Sequence, residues 1–218
     1  GTGVVSRLAK YLGYEIYAND WEFYSFVVCM AHLCVDKVEL EYLFRERGGY
    51  QEVFSFLRQL KKTSPEKEAY ISRHFAPKET GTADYRRERL FYSRENAAII
   101  DTVRNQIEEW YPGWSLSETA KKEKFLLISS LLYAAAKHAN TSGVFKAYHK
   151  GFGGHGRDAL KRILSPISLE PPVLIDSVQG ASVFQMDATD FLSTAAYDLV
   201  YLDPPYNCHQ YGSNYFML

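Results

Sequence analysis

Close to the C-terminal end of the 218 residues stands Tyr197-Asp198-Leu199-Val200-Tyr201-Leu202-Asp203-Pro204-Pro205-Tyr206. An apolar run there delivers a carboxylate, two prolines and an aromatic ring in immediate succession. Each proline fixes its own φ and biases the residue before it toward extended geometry, so the corner is stiff. Neither proline has an N–H, which leaves the Pro204 carbonyl free to accept a hydrogen bond beside the Asp203 carboxylate. Two acceptors of this kind suit an exocyclic amino group on adenine, whose lone pair is delocalised into the ring. Holding both hydrogens draws the nitrogen toward tetrahedral geometry and aims the lone pair outward, where a methyl group on a sulfonium can transfer in line. Tyr206 offers a flat face for a base extruded from a duplex. Asp203, Pro204, Pro205 and Tyr206 are the candidate catalytic residues. The plainer alternative is a proline-stiffened turn in which Asp203 caps a loop.

A second constellation opens the chain. Gly1-Thr2-Gly3 precedes a helical stretch, and Asp20 closes the strand-like run that follows it. Glycines let backbone N–H groups approach a ligand at a helix N-terminus, and an acid ending the next strand can accept both hydroxyls of a ribose. Asp187 ends another short strand and can accept from the amino group of a cofactor's adenine. Trp21 and Ala188 adjoin these acids. Gly1, Thr2, Gly3, Asp20, Trp21, Asp187, Ala188 and Asp203 make up the candidate cofactor-binding set. For Asp20 and Asp187 the alternative is N-capping, of a helix beginning at Trp21 and of a turn over 188–192.

The third feature is basic. Between His138 and Arg162, the cations Lys146, Lys150, Arg157, Lys161 and Arg162 face the single acid Asp158, with Phe145, Tyr148 and Phe152 interleaved. Phosphate contacts give affinity for nucleic acid, and side chains on a loop can enter a groove. Lys146, Tyr148, Lys150 and Arg157 are therefore candidate DNA-binding residues, with a solvated surface loop as the alternative. The Arg86-Arg87-Glu88-Arg89 cluster receives no role. Cys208 and His209 beside the proline corner are bystanders, because amine methylation needs neither a thiolate nor a metal.

The elements that must position these groups are legible in part. Helices are expected over 4–12, 21–34, 39–47 and 51–61, and a strand over 15–20. Pro77 to Asp84 reads as a loop. Ile100, Val103, Ile107 and Trp110 recur at helical spacing, with Asp101, Arg104 and Glu108 on the opposite face, and Pro112-Gly113 ends that helix. Ser115 with Glu118 reads as a capping box ahead of a helix apolar nearly all round. Residues 140–156 form either a hairpin or an ordered loop. Strands are expected over 182–186 and 197–202, each ending in an acid at the edge where open α/β sheets bind ligands.

Composition adds bounds. The formal charge is -1, 46% of residues are apolar and 23% are charged, as in ordinary globular chains. No apolar run approaches the roughly 20 residues of a membrane span. Cys29, Cys34 and Cys208 form no metal-ligand or disulfide pattern, which fits a soluble protein of a reducing cytoplasm with no metal.

Gly1-Thr2-Gly3-Val4-Val5-Ser6 with Ala18-Asn19-Asp20, then Asn140-Thr141-Ser142-Gly143-Val144, then Tyr201 to Asn207 with Gln210-Tyr211, resembles the adenine-specific DNA methyltransferases of restriction-modification systems. The motif order is that of their alpha group, and the likeness touches both ends and the region from Glu88 onward. The resemblance implies an incomplete Rossmann-like class I methyltransferase sheet with a mainly helical insertion, the sequence being cut short at both ends. It divides the chain into 1–35 and 173–218, the two parts of the α/β catalytic domain, and 36–172, the insertion with the target-recognition region. It implies S-adenosylmethionine as cofactor, with Gly1 and Gly3 under its methionine part, Asp20 on its ribose and Asp187 on its adenine. Asp203, Pro204 and Tyr206 would surround the target base, the loop after Asn140 would contact double-stranded DNA, and a cognate restriction endonuclease would be a partner. An RNA adenine or guanine methyltransferase, and a non-catalytic DNA-binding remnant of the same fold, are the alternatives.

Overall fold

Two helices that are apolar on nearly every side set the architecture, because such helices must be covered all round. In a computed structural model that describes residues 1–60 and 69–204, they are α2 (Phe23–Leu33) and α7 (Glu118–His138). The other described elements, in chain order, are α1 (Val4–Tyr11), β1 (Ile16–Asn19), α3 (Lys37–Leu40), α4 (Tyr50–Gln59), α5 (Tyr70–His74), α6 (Arg94–Trp110), α8 (Leu160–Leu164), β2 (Ala181–Phe184) and α9 (Ala188–Leu192). Short 3-10 turns occur at Arg45–Arg47 and Thr80–Thr82.

Residues 124–131 of α7 are all buried. With Phe54 and Leu57 of α4, Val103 and Ile107 of α6, and the trailing Ile167, Leu169 and Leu174, α7 forms the larger hydrophobic core. α2 is shared between that core and a smaller one. Val27 and Ala31 face the larger core, whereas Cys29 and Leu33 pack under the sheet with Ile16 and Ala18. The sheet pairs β1 and β2 in parallel, with Ile16 opposite Ala181 and Asn19 opposite Phe184. Its strands come from opposite ends of the chain, so the intervening helices form one long excursion between them. The architecture among the described residues is thus mainly helical, with a small parallel two-stranded sheet.

Several expectations need correction. No strand runs through 197–204 among the described residues, and Leu199 and Leu202 are 81% and 68% exposed. A strand persists only when a neighbour takes up its N–H and C=O groups, and among the described residues the ladder ends at β1 and β2. The helix expected over 39–47 is broken, because buried Phe44 adopts a left-handed φ of 58° between α3 and the 3-10 turn. The cap of α7 is Ser117, whose Oγ accepts from Ala120 N, rather than Ser115. Asp101 is buried instead of solvated: its two oxygens accept from Ile71 N and Ser72 N, 2.8 Å each, and so satisfy the first turn of α5. Residues 140–156 are an ordered loop without strands.

Candidate functional site

Parallel pairing brings the C-terminal ends of β1 and β2 together. Asp20 N donates to Phe184 O (3.3 Å), Asn19 and Met186 exchange two hydrogen bonds of 3.1 Å, and Gln185 Nε2 donates to Trp21 O (3.1 Å). Asp20 and Asp187, far apart in the chain, therefore sit on one sheet edge. Trp21 is exposed beside them, as are Thr2 and Ala188.

Asp20 is held on both oxygens. Its Oδ1 accepts from Glu22 N (2.9 Å), just ahead of α2, while its Oδ2 accepts from Ser25 Oγ (2.7 Å) and lies against the Gly1 nitrogen. Burial works against the charged carboxylate, and the hydrogen bonds from Ser25 and Glu22 favour it. Ser25 is fully buried, and its Oγ also lies 2.7 Å from the Gly1 nitrogen and from the Gly1 carbonyl oxygen. One hydroxyl carries one proton, so Ser25 donates either to Asp20 or to Gly1 at a given moment. The glycine turn closes onto α2 just here. Gly3 has φ +67°, and a Cβ on it would stand 3.0 Å from Cys29 Sγ, so both backbone conformation and space demand glycine.

Asp187 caps α9: its Oδ1 accepts from Thr189 N (2.7 Å). The backbone hydrogen bond from Thr189 holds this exposed carboxyl below the usual range. Asp203 and Pro204 are exposed in the stretch after Tyr197, which has no regular secondary structure. Tyr197 itself is anchored on the sheet, with its ring edge-on to Tyr17 at 5.7 Å, against Phe191 at 5.7 Å, and its hydroxyl donating to Phe191 O (3.1 Å). Pro205 and Tyr206, like Asn207, Cys208, His209, Gln210 and Tyr211, lie outside the described residues.

The basic loop is organised by Asn140, which is fully buried. Its Nδ2 faces the carbonyls of Leu90 (2.9 Å), His149 (3.3 Å) and Gly151 (3.3 Å), and its Oδ1 accepts from Gly153 N (3.2 Å). Its backbone adds Asn140 N to Phe91 O and His149 N to Asn140 O. One amide side chain thus ties the start and end of the loop to the segment before α6. Gly153 is fixed as glycine by φ +94° and by Leu160 Cβ, 2.9 Å from where a Cβ would be. Lys146, Lys150 and Arg157 are exposed, whereas Tyr148 is half-buried, its hydroxyl bonded to the carbonyls of Tyr85 and Glu88.

Ser25 was not singled out from the sequence, and Asn140 entered there only as the first residue of the Asn140-to-Val144 run, without its role in closing the loop. The signals were present: a serine on a mainly apolar helix, and an amide just past the end of a buried helix before a glycine-rich run. No group of three His, Cys, Asp or Glu side chains able to hold a metal occurs among the described residues. Among those residues, no helix is long and apolar enough to cross a membrane.

Comparison with known proteins places this geometry in context. A family model described as D12 class N6 adenine-specific DNA methyltransferase matches residues 1–218. The chain is 34% identical over 221 residues to the type II methyltransferase M.NlaIII of Neisseria lactamica, an alignment covering 100% of this chain and 57% of that protein. It is 30% identical over 218 residues to the modification methylase StsI of Streptococcus sanguinis, covering 100% of this chain and 30% of that protein. It is 28% identical over 221 residues to the type II methyltransferase M.CviAII of Paramecium bursaria Chlorella virus 1, again covering 57% of the relative. The chain therefore spans little more than half the length of two of these relatives and less than a third of the other. No solved structure matches it significantly.

Proposed function

Since the chain belongs to the D12 class N6 adenine-specific DNA methyltransferase family, we propose that it serves methyl transfer from S-adenosylmethionine to the exocyclic amino group of adenine in duplex DNA. The observation that carries the proposal is the meeting of Asp20 and Asp187 on the C-terminal edge of a parallel sheet, beside a glycine turn packed on α2. That edge is where open α/β sheets take ligands. β1 and β2 then belong to a Rossmann-like class I methyltransferase sheet, with 1–35 and 173–218 as its two parts and 36–172 as the helical insertion that reads the target.

The donor set fits the cofactor. A carboxylate hydrogen-bonded at a strand end suits a ribose, a second carboxylate suits an adenine amino group, and exposed Trp21 offers a face beside them. Gly1, Thr2 and Gly3 would line the methionine part, with Ala188 next to Asp187. When bound, S-adenosylmethionine supplies a methyl group on a positively charged sulfur. The protein's own task is to orient and activate the amine: Asp203 and the Pro204 carbonyl accept its two hydrogens, Pro205 keeps the corner stiff, and Tyr206 stacks on the extruded base. Lys146, Lys150 and Arg157 would meet phosphates, and Tyr148 would fix the loop that carries them. The setting is the cytoplasm, with a cognate restriction endonuclease as partner.

The test uses the complete protein, tritiated S-adenosylmethionine and matched mixed-sequence DNA and RNA duplexes, followed by chromatography of the nucleosides. Label in N6-methyladenine from DNA is the expected result. Label in RNA alone, or in another base, overturns the proposal.

A further inference from the structure

The Arg86-Arg87-Glu88-Arg89 cluster has no place in the site described above, yet the basic loop is docked on it. Tyr148 Oη lies 3.1 Å from Glu88 O and 3.4 Å from Tyr85 O, and the Tyr148 ring packs edge-on against Phe91 at 4.9 Å. Asn140 fixes the start of the loop to Leu90 and Phe91. The two segments are thus one structural unit.

The acids of the cluster are turned into its own backbone. Glu88 accepts from Lys78 N (2.8 Å) and Asp84 N (3.3 Å), and Asp84 accepts from Arg86 N (3.0 Å). Arg87 is 3.9 Å from Asp84, and Arg89 lies over the Phe75 ring at 5.5 Å and reaches His74 O. Arg86 is exposed and has no acidic partner among the described residues. Its Cζ sits 5.6 Å from the centre of the Tyr85 ring, and Lys150 Nζ sits 5.9 Å from the same ring.

Two cations gathered on one aromatic ring are each attracted by its face and repel one another. A polyanion with charges at short intervals removes that repulsion. A single strand of duplex DNA presents one phosphate per roughly 3.4 Å of axis, so two cations set around one ring can meet phosphates of the same backbone. We propose that Tyr85 and Arg86 extend the DNA-contacting loop into a composite surface, on which Arg86 and Lys150, set around the Tyr85 ring, take phosphates of the duplex. This rests on the DNA reading of the loop, and it adds Arg86, which the loop alone does not contain.

The experiment measures binding of a fluorescent mixed-sequence 20-base-pair duplex to the complete protein as a function of salt. Losing one phosphate contact makes the slope of log K against log[salt] shallower by about 0.9. Arg86→Gln and Lys150→Gln each show that loss, Arg86→Lys retains the slope, and Lys37→Gln, which removes a cation paired with Asp176, leaves it unchanged. Tyr148→Phe keeps every charge but lowers affinity several-fold at constant salt, because the loop is no longer tied to Tyr85 and Glu88. An Arg86→Gln slope equal to that of Lys37→Gln, with Lys150→Gln still shallower, overturns this inference alone. Unchanged slopes for both variants overturn the DNA reading of the loop with it.

Discussion

At the scale of single residues, the proposed role of Asp20 requires its carboxylate to be aimed, and Ser25 is one of the groups that aim it. Removing the Ser25 hydroxyl leaves Asp20 Oδ2 and the Gly1 turn without their shared partner. A lost hydrogen bond to a charged group is worth about 1.5 kcal/mol or more. Ser25→Ala should therefore weaken S-adenosylmethionine binding about tenfold, as read by calorimetry, and Asp20→Ala by more. Unchanged affinity in both variants would remove this edge from the cofactor site. Gly3→Ala should destabilise the turn by about 1 kcal/mol through its left-handed backbone; adding Cys29→Ala relieves the close contact but not the φ, so urea midpoints of the pair recover only partly. The acids ending β1 and β2 were legible because polar residues that terminate apolar runs stand out. Ser25 was not, since a serine inside an apolar helix looks the same whether it faces a ligand edge or bonds its own backbone.

At the scale of elements, buried polar side chains serve helix ends and loop closures. Lys10, 4% exposed, donates to Leu33 O and Val35 O at the C-terminus of α2. Lys124, 0% exposed, donates to Tyr111 O and Gly113 O past the end of α6 and to Glu108, and lies over the Trp114 ring at 4.1 Å. Each satisfies orphan carbonyls and opposes the negative end of a helix dipole. Lys124→Met should cost about 3 kcal/mol in urea unfolding, since it strands the buried Tyr111 carbonyl and removes the bonds to Gly113 O and Glu108; a loss below about 1 kcal/mol would contradict that role. Asn140→Ala should cost a similar amount and expose 141–153 to protease while the helices stay intact. The periodicity of α6 predicted its end at Pro112-Gly113 but misplaced Asp101, because α5 packs over that part of the helix and takes both Asp101 oxygens, while Arg104 and Glu109 stay exposed. The expected strand at 197–202 is likewise a statement about pattern alone, whereas a strand exists only beside another.

At the scale of the whole molecule, α2 contributes side chains to both cores and also carries His32. Burial, and then the nearby Arg7 and Lys10, push the His32 imidazole down from 6.5 to about 4, although a hydrogen bond to the Val173 backbone favours the charged form. Its Nδ1 is buried without a hydrogen-bond partner among the described residues. Between these two values the unfolded chain binds the proton and the folded one does not, so stability falls as pH drops from about 6.5 to 4, by on the order of 3 kcal/mol. Denaturant melts across that range should show this acid limb, and His32→Gln should flatten it. The broad class was readable from motifs at the two ends of the sequence, whereas the larger helical core between them was signalled by apolar periodicity and not by a motif.

The central claim concerns the acid that opens the proline corner, and single-turnover tritium transfer by the complete protein at saturating S-adenosylmethionine tests it most directly. Asp203→Ala should lower transfer to duplex adenine by about a thousandfold while cofactor affinity stays near normal. Transfer at close to the unmodified rate in that variant would contradict the account.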